Sequence, residues 1–227
     1  TVMIGGTLPL LHAGYRVGQG DTIILESCEY CNSFLSFFPT VAVILNVEED
    51  HLDFFKDLRD IQRSFRQFAE LVPEAGSVIV NADNASAMEA VAGIAHPIFT
   101  FGLDHPADCT AANLQEVDGR PVFDVLVRGE KYAHVELHVY GHHNVLNALA
   151  AASAAYVLGL PGHAVEEGLA SFTGAGRRFE HKGTYHGAEV YDDYAHHPDE
   201  LHALFTTARE MGYQRLVVAF QPHTYSR

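Results

Sequence analysis

Basic charge is scarce in this chain. Its 14 Lys and Arg stand against 29 Asp and Glu, which leaves a formal charge of −15. Non-specific nucleic-acid binding rests on Lys and Arg neutralising phosphates, so no nucleic-acid partner is expected. A nucleotide remains compatible, because a cation and one or two basic groups can hold its few phosphates. Long apolar runs are also missing. None approaches the roughly 20 residues a membrane-spanning helix needs, so no membrane partner is expected. The most apolar stretch, Ala148 to Leu158, is short and alanine-rich and reads as a buried helix. Cysteine is sparse at three residues. An odd count, no signal sequence and an ordinary core point to a reducing compartment, so a cytoplasmic protein is expected. Cys28 and Cys31 form a lone C-x-x-C with no second pair to complete a zinc site. No segment fits the P-loop spacing; Thr173-Gly-Ala-Gly-Arg-Arg178 is Gly-rich but reads as a hinge. The first residue is not Met and the last follows an apolar run, so both ends are expected to be cut from a longer protein.

What is present is an α/β pattern. The 227 residues, 48% of them hydrophobic, allow one large domain or one plus part of another. Short continuous apolar runs at 22–26 and 41–46 suit strands of a parallel sheet covered on both faces. Leu58, Ile61, Phe65, Phe68 and Val72 repeat at helical spacing, and Pro73 and Gly76 stop them. Strands are predicted at 77–80 and 97–101, with Asn84 placed to cap a helix from Ala85. Between Cys109 and Tyr140 three alternating runs form an antiparallel meander, and Asp118-Gly119 marks a hairpin. Helices follow at 143–158 and 162–171. Strands near 181–186 and 188–192, a helix after Pro198 and a strand at 216–220 open a second α/β unit. The expected architecture is α/β: a mostly parallel sheet flanked by helices with an added antiparallel β meander, then the start of a second α/β unit.

Chemistry concentrates where strands end, the edge at which α/β folds bind ligands. Val41–Leu45 delivers Asn46-Val-Glu-Glu-Asp-His51-Leu-Asp53, and Thr22–Leu25 delivers Glu26. Carboxylate and imidazole together suit a divalent cation. Gly141-His-His-Asn-Val-Leu-Asn147 opens a helix, where Asn can read a purine edge or simply cap. Arg177-Arg178 and Tyr191-Asp-Asp-Tyr-Ala-His-His-Pro198 form a further polar cluster, and His223 and Arg227 reach the same edge. Zinc held by His196 and His197 is a rival reading.

Glu26–Phe34, Asn46–Asp53, Gly141–Ala150, Arg177–Glu180, Asp192–Pro198 and Phe220–Arg227 occur in this order. Together they resemble the Mur ligases, specifically the type that joins L-alanine to UDP-N-acetylmuramate. The resemblance implies that residues 1–176 form the central ATPase domain without its P-loop. Residues 177–227 would begin the Rossmann-like α/β C-terminal domain, and the fragment alone would be inactive. It implies ATP and Mg²⁺ as cofactors and an acyl-phosphate intermediate. Glu26 and His51 would be the metal ligands. His143, Asn144 and Asn147 would contact adenine, Arg178 the phosphates, and Asp192 the ribose or phosphates. His196, His223 and Arg227 would approach the alanine carboxylate and the new bond. Three positions depart from the common pattern: Cys31 replaces an acid, Thr224 an arginine, and Arg66 the carbamylated lysine of sister ligases. The alternatives are the recycling ligase that joins a murein tripeptide to the same UDP sugar, a non-catalytic nucleotide-binding fragment, and a zinc hydrolase.

Overall fold

The structure, a computed structural model, describes residues 1–221. The chain opens with β1 (Val2–Leu8) and β2 (Ala13–Arg16), an antiparallel hairpin. β3 (Ile24–Leu25) joins the other side of β1 in parallel, with Val2 opposite Ile24. This corrects the expected place of residues 22–26 in the main parallel sheet. The amides of Ile24 and Glu26 bond the carbonyls of Thr1 and Met3 at 2.9 Å each, so the N-terminal strand takes them. A two-residue apolar strand has too little side-chain pattern to select one neighbour over another.

The main sheet has six strands lying side by side in chain order. They are β4 (Val41–Ile44), β5 (Ser77–Asn81), β6 (Ile98–Gly102), β7 (Cys109–Val117), β8 (Arg120–Val127) and β9 (Glu130–Glu136). The strands β4 to β7 run parallel, and β7 to β9 form the expected meander. Asp118 and Gly119 turn β7 into β8 with φ of 51° and 74°, the left-handed pair an Asp-Gly hairpin adopts.

Two cores seal this sheet. On one face Ile44, Val78 and Val80 pack against α1 (Leu58–Glu70) and α2 (Ala85–Val91). On the other, Ile79, Phe99, Phe101, Phe123 and Val125 pack against α3 (His142–Val157) and α4 (Gly162–Ser171). Successive residues of β5 point to opposite faces, and both faces are covered, which is why Val78, Ile79 and Val80 are all apolar. Asp57 caps α1 and Asn84 caps α2, each accepting an amide hydrogen bond from the first turn.

The second unit begins with β10 (Glu180–Tyr185) and β11 (Ala188–Asp192), a hairpin whose described strand partners are each other. Then comes α5 (Pro198–Glu210), closed by Gly212 at φ +78°. The strand expected at 216–220 is not found. A strand needs a neighbour to take its amides, and among the described residues none pairs with this segment. The apolar residues Leu201, Leu204, Phe205 and Ala208 lie on one side of α5. They line an open cleft of about 990 Å³, together with Val217 and Val218.

The start of α4 lies against the backbone of β9. A Cβ on Gly162 would lie 1.7 Å from the Tyr132 carbonyl oxygen. Gly162→Ala is therefore expected to lower stability by about 1–3 kcal/mol through overpacking. Denaturant unfolding checks this, and an unchanged midpoint would contradict it.

Candidate functional site

The loop after β4 is fixed from below by the core. Val47 is buried, and its amide bonds the Asn84 side chain at 3.3 Å. Beyond it, His51 adopts φ +52°, a region that non-glycine residues rarely occupy. Its carbonyl accepts the amides of Phe54 and Phe55 at 2.8 and 2.9 Å. Its Nε2 lies 3.3 Å from Glu29, and its ring packs on Tyr30 with centroids 4.6 Å apart. The Tyr30 hydroxyl donates to Asp53 at 2.8 Å, and that bond to a carboxylate pushes its pKa up to about 12.

Glu26 is placed differently. Its carboxylate accepts the Gly5 amide at 2.7 Å, on the small N-terminal sheet. The expected neighbouring of the 22–26 and 41–46 strand tips is thus not what the sheets provide. No group of three His, Cys, Asp or Glu side chains arranged to hold a metal occurs among the described residues. Arg66, at the sister ligases' lysine position, braces two helices. It bonds Glu70 at 3.1 Å and the Ala92 carbonyl at 2.8 Å.

The start of α3 faces the second unit. Gly141 precedes it at φ +87°, and no side chain caps the helix, so the capping role open to Asn or His is not taken. A Cβ at Gly141 would lie 2.5 Å from Thr207 Oγ1 and 2.8 Å from the His143 ring. Only glycine lets the helix start this close to α5. Asn144 donates to the Tyr140 carbonyl at 2.8 Å, and Asn147 donates to Asn144 at 3.2 Å. His143 is an exposed residue. Even so, loss of water around it lowers its pKa; the Asp193 carboxylate opposes the fall and the Arg178 guanidinium adds to it.

The hinge and the loop before α5 complete the second wall. Arg177 Nε lies 3.6 Å from Asp192, and its guanidinium sits over the Tyr194 ring. Asp193 braces the loop by accepting the amides of Phe179 and Ala195 at 2.7 Å each. Glu200 accepts the His196 and His197 amides at 3.0 and 3.3 Å and pairs with Arg178 at 3.3 Å. Burial pushes the Glu200 carboxyl up, but these donors outweigh it and hold the pKa below the usual carboxylate value. His196 Nδ1 meets the Tyr194 carbonyl at 3.0 Å. His197 Nε2 crosses to the first unit and meets the Glu49 carbonyl at 3.2 Å. Between the two walls is a cavity of about 210 Å³, lined by Glu29, Asn46, Glu48, Asp50, His197 and Glu200 with three apolar residues beneath.

The structure therefore gathers His143, Asn144, Asn147, Arg178, Asp192 and His196 around the junction of the units, with His51 on the facing loop. None of these side chains, nor Glu26, lines the cavity of about 210 Å³; Asp192 and His196 line the larger cleft beside α5 instead. His223 and Arg227 lie outside the described residues. Sequence reasoning missed the bracing carboxylates Glu29 and Asp193 and the contacts of His197 and Glu200. One signal was readable: a Glu at the third position of a helix that starts at Pro198 can close back on the preceding amides.

The Mur ligase middle domain matches residues 7–155, and the Mur ligase glutamate ligase domain matches residues 177–226. The UDP-N-acetylmuramate–L-alanine ligase of Clostridium novyi is 45% identical over 227 residues, which is 100% of this chain and 49% of that protein. The chain thus spans about half the length of the curated relatives it matches. Among solved structures, the UDP-N-acetylmuramate-alanine ligase MurC of Thermotoga maritima superimposes with a TM-score of 0.77 at 29% identity, covering 92% of this chain and 47% of that one. The UDP-N-acetylmuramate:L-alanyl-gamma-D-glutamyl-meso-diaminopimelate ligase of Neisseria meningitides gives 0.66 at 28% identity, covering 76% of this chain and 57% of that one.

The His143 environment has a pH consequence. Because folding lowers this pKa, the unfolded chain takes up the proton first on acidification. The stability that neutral His143 provides is present above its ordinary pKa of about 6.5 and is lost as pH falls below it. His143→Gln is expected to lose less melting temperature than the parent between pH 7 and pH 5. Equal losses in both would contradict this environment.

Proposed function

The chain belongs to the Mur ligase family, and from that premise we propose that the whole protein is an ATP-dependent ligase joining L-alanine to UDP-N-acetylmuramate. The product is a peptidoglycan precursor, and cell shape and division depend on its supply. Residues 1–176 are assigned to the central domain and 177–227 to the beginning of the next. The site of action is the cytoplasm; no described helix is long and apolar enough to cross a membrane. The observation that carries the reading is the 45% identity to an alanine-adding ligase across the whole chain.

In the proposed reaction the muramoyl carboxylate takes the terminal phosphoryl group of ATP, the β–γ phosphoanhydride bond breaks and ADP is left. The amine of L-alanine attacks the resulting acyl phosphate, and phosphate leaves. Two anions must approach each other, so positive groups have to offset the developing charge. Arg178 is assigned to the ATP phosphates, which suits a guanidinium poised between the start of α3 and α5. His143, Asn144 and Asn147 are assigned to the adenine. Their side-chain bonds to one another and to Tyr140 hold their orientation before a ligand arrives. Asp192 is assigned to the ribose or phosphates, and His196, with His223 and Arg227, to the alanine carboxylate and the new bond.

Mg²⁺ is the proposed metal. A phosphate-bound Mg²⁺ keeps several waters and takes one or two protein donors. The carboxylate of Glu26 and the imidazole of His51 would hold it. With the Nε2 hydrogen donated to Glu29, as the 3.3 Å contact permits, His51 keeps Nδ1 as its free lone pair. When bound, the ion would withdraw charge from the phosphate oxygens.

Phosphate release by the full-length protein tests the reaction. With ATP and UDP-N-acetylmuramate, release is expected to require L-alanine. Dependence on the murein tripeptide alone would transfer the protein to the recycling activity. Glu26→Ala and His51→Ala are each expected to cut turnover by about 100-fold or more, the scale of losing a charge-stabilising group. Their melting temperatures should stay near that of the parent. Normal rates at saturating Mg²⁺ would contradict both metal roles.

A further inference from the structure

We propose that Glu200 is a positioning residue that sets the hinge arginine, Arg178, against the nucleotide phosphates and ties it to the acidic loop after β4. The inference rests on the ligase reading above, in which Arg178 touches ATP. Glu200 divides its carboxylate between two tasks. Oε2 accepts the amides of His196 and His197 at 3.0 and 3.3 Å, and Oε1 faces Arg178 Nη1 at 3.3 Å. The first task closes the α5 N-terminus, as a Glu at the third helical position does. The second has no part in capping; it restrains a long, flexible side chain that would otherwise sample many rotamers.

The connection continues past Glu200. Its amide partner His197 sends its ring to the Glu49 carbonyl at 3.2 Å, and Glu200 shares the walls of the junction cavity with Glu29, Asn46, Glu48 and Asp50. One carboxylate therefore links the hinge arginine, the start of α5 and the loop that carries His51. Through it Arg178 is held on the side of the junction where the start of α3 also lies. Misplacing a binding group by about an ångström costs up to about 100-fold in rate, so the geometry of this link is reflected in function.

The division of labour can be separated experimentally. Glu200→Gln keeps one acceptor oxygen for the amides and loses the charge that holds Arg178. Glu200→Ala loses both. In the full-length protein Glu200→Gln is expected to raise KM for ATP by about tenfold or more, with a smaller change in kcat and an unchanged melting temperature. Glu200→Ala is expected to raise KM similarly and also to lower the melting temperature. In an Arg178→Ala background, adding Glu200→Gln should produce no further rise. An unchanged KM for ATP in Glu200→Gln, or a rise that persists at full size without Arg178, would overturn the inference and leave Glu200 as a helix cap. The underlying reading fails separately. Absence of ATP-dependent phosphate release in the unmutated protein would remove the ligase assignment, and a normal KM for ATP in Arg178→Ala would remove both the arginine's role and this one.

Discussion

The contact between the β4 loop and the start of α5 is the constraint on which the site depends. Its parts are individually small. An exposed ion pair such as Arg178–Glu200 contributes about 0–1 kcal/mol, and a single hydrogen bond about 1 kcal/mol. Their importance is positional. On one side Val47 and Asn84 fasten the loop to the sealed α1–α2 face of the sheet. On the other, Glu200 and Asp193 fasten the hinge and the loop before α5. The His197 ring then closes the gap between them. A rigid doubly covered sheet thus passes its geometry to residues contributed by loops, which have little internal structure to hold them.

The chain's acidity looks different in this setting. Many of its carboxylates are satisfied by backbone amides of the loops they brace. Burial pushes the Asp83 carboxyl up, yet the amides of Leu103, Asp104 and His105 and the His105 ring pull it below the usual range. Glu180 and Glu200 are also held low, the first by Lys182 and the Arg177 amide. A run of acids in sequence is therefore ambiguous between a ligand site and a set of loop braces. Glu26, which accepts the Gly5 amide, and Glu29, which meets His51, show the bracing side of that ambiguity.

Much of the fold was legible before the structure. The continuous run Val78–Val80, the Asp118-Gly119 turn and the Asn84 cap each express one local rule strongly, and each element lies where that rule puts it. What was not legible depended on partners distant in sequence. Ile24–Leu25 suits any parallel edge, and only the position of β1 decides which one it joins. Leu216–Phe220 has strand composition but no described neighbour. Gly141 reads as a helix boundary, but its closeness to Thr207 depends on how α5 packs. The motif residues were visible as motifs; that Asp193 and Glu200 brace the loops around them was not, because a carboxylate in sequence does not name its donor.

The most direct test of the account is a crystal structure of the full-length protein with Mg²⁺ and a non-hydrolysable ATP analogue. The account predicts the triphosphate between Arg178 and the loop ending at His51, the adenine against Asn144, and the metal contacting Glu26 and His51. A nucleotide bound away from this junction, or a metal whose ligands include neither Glu26 nor His51, would contradict it.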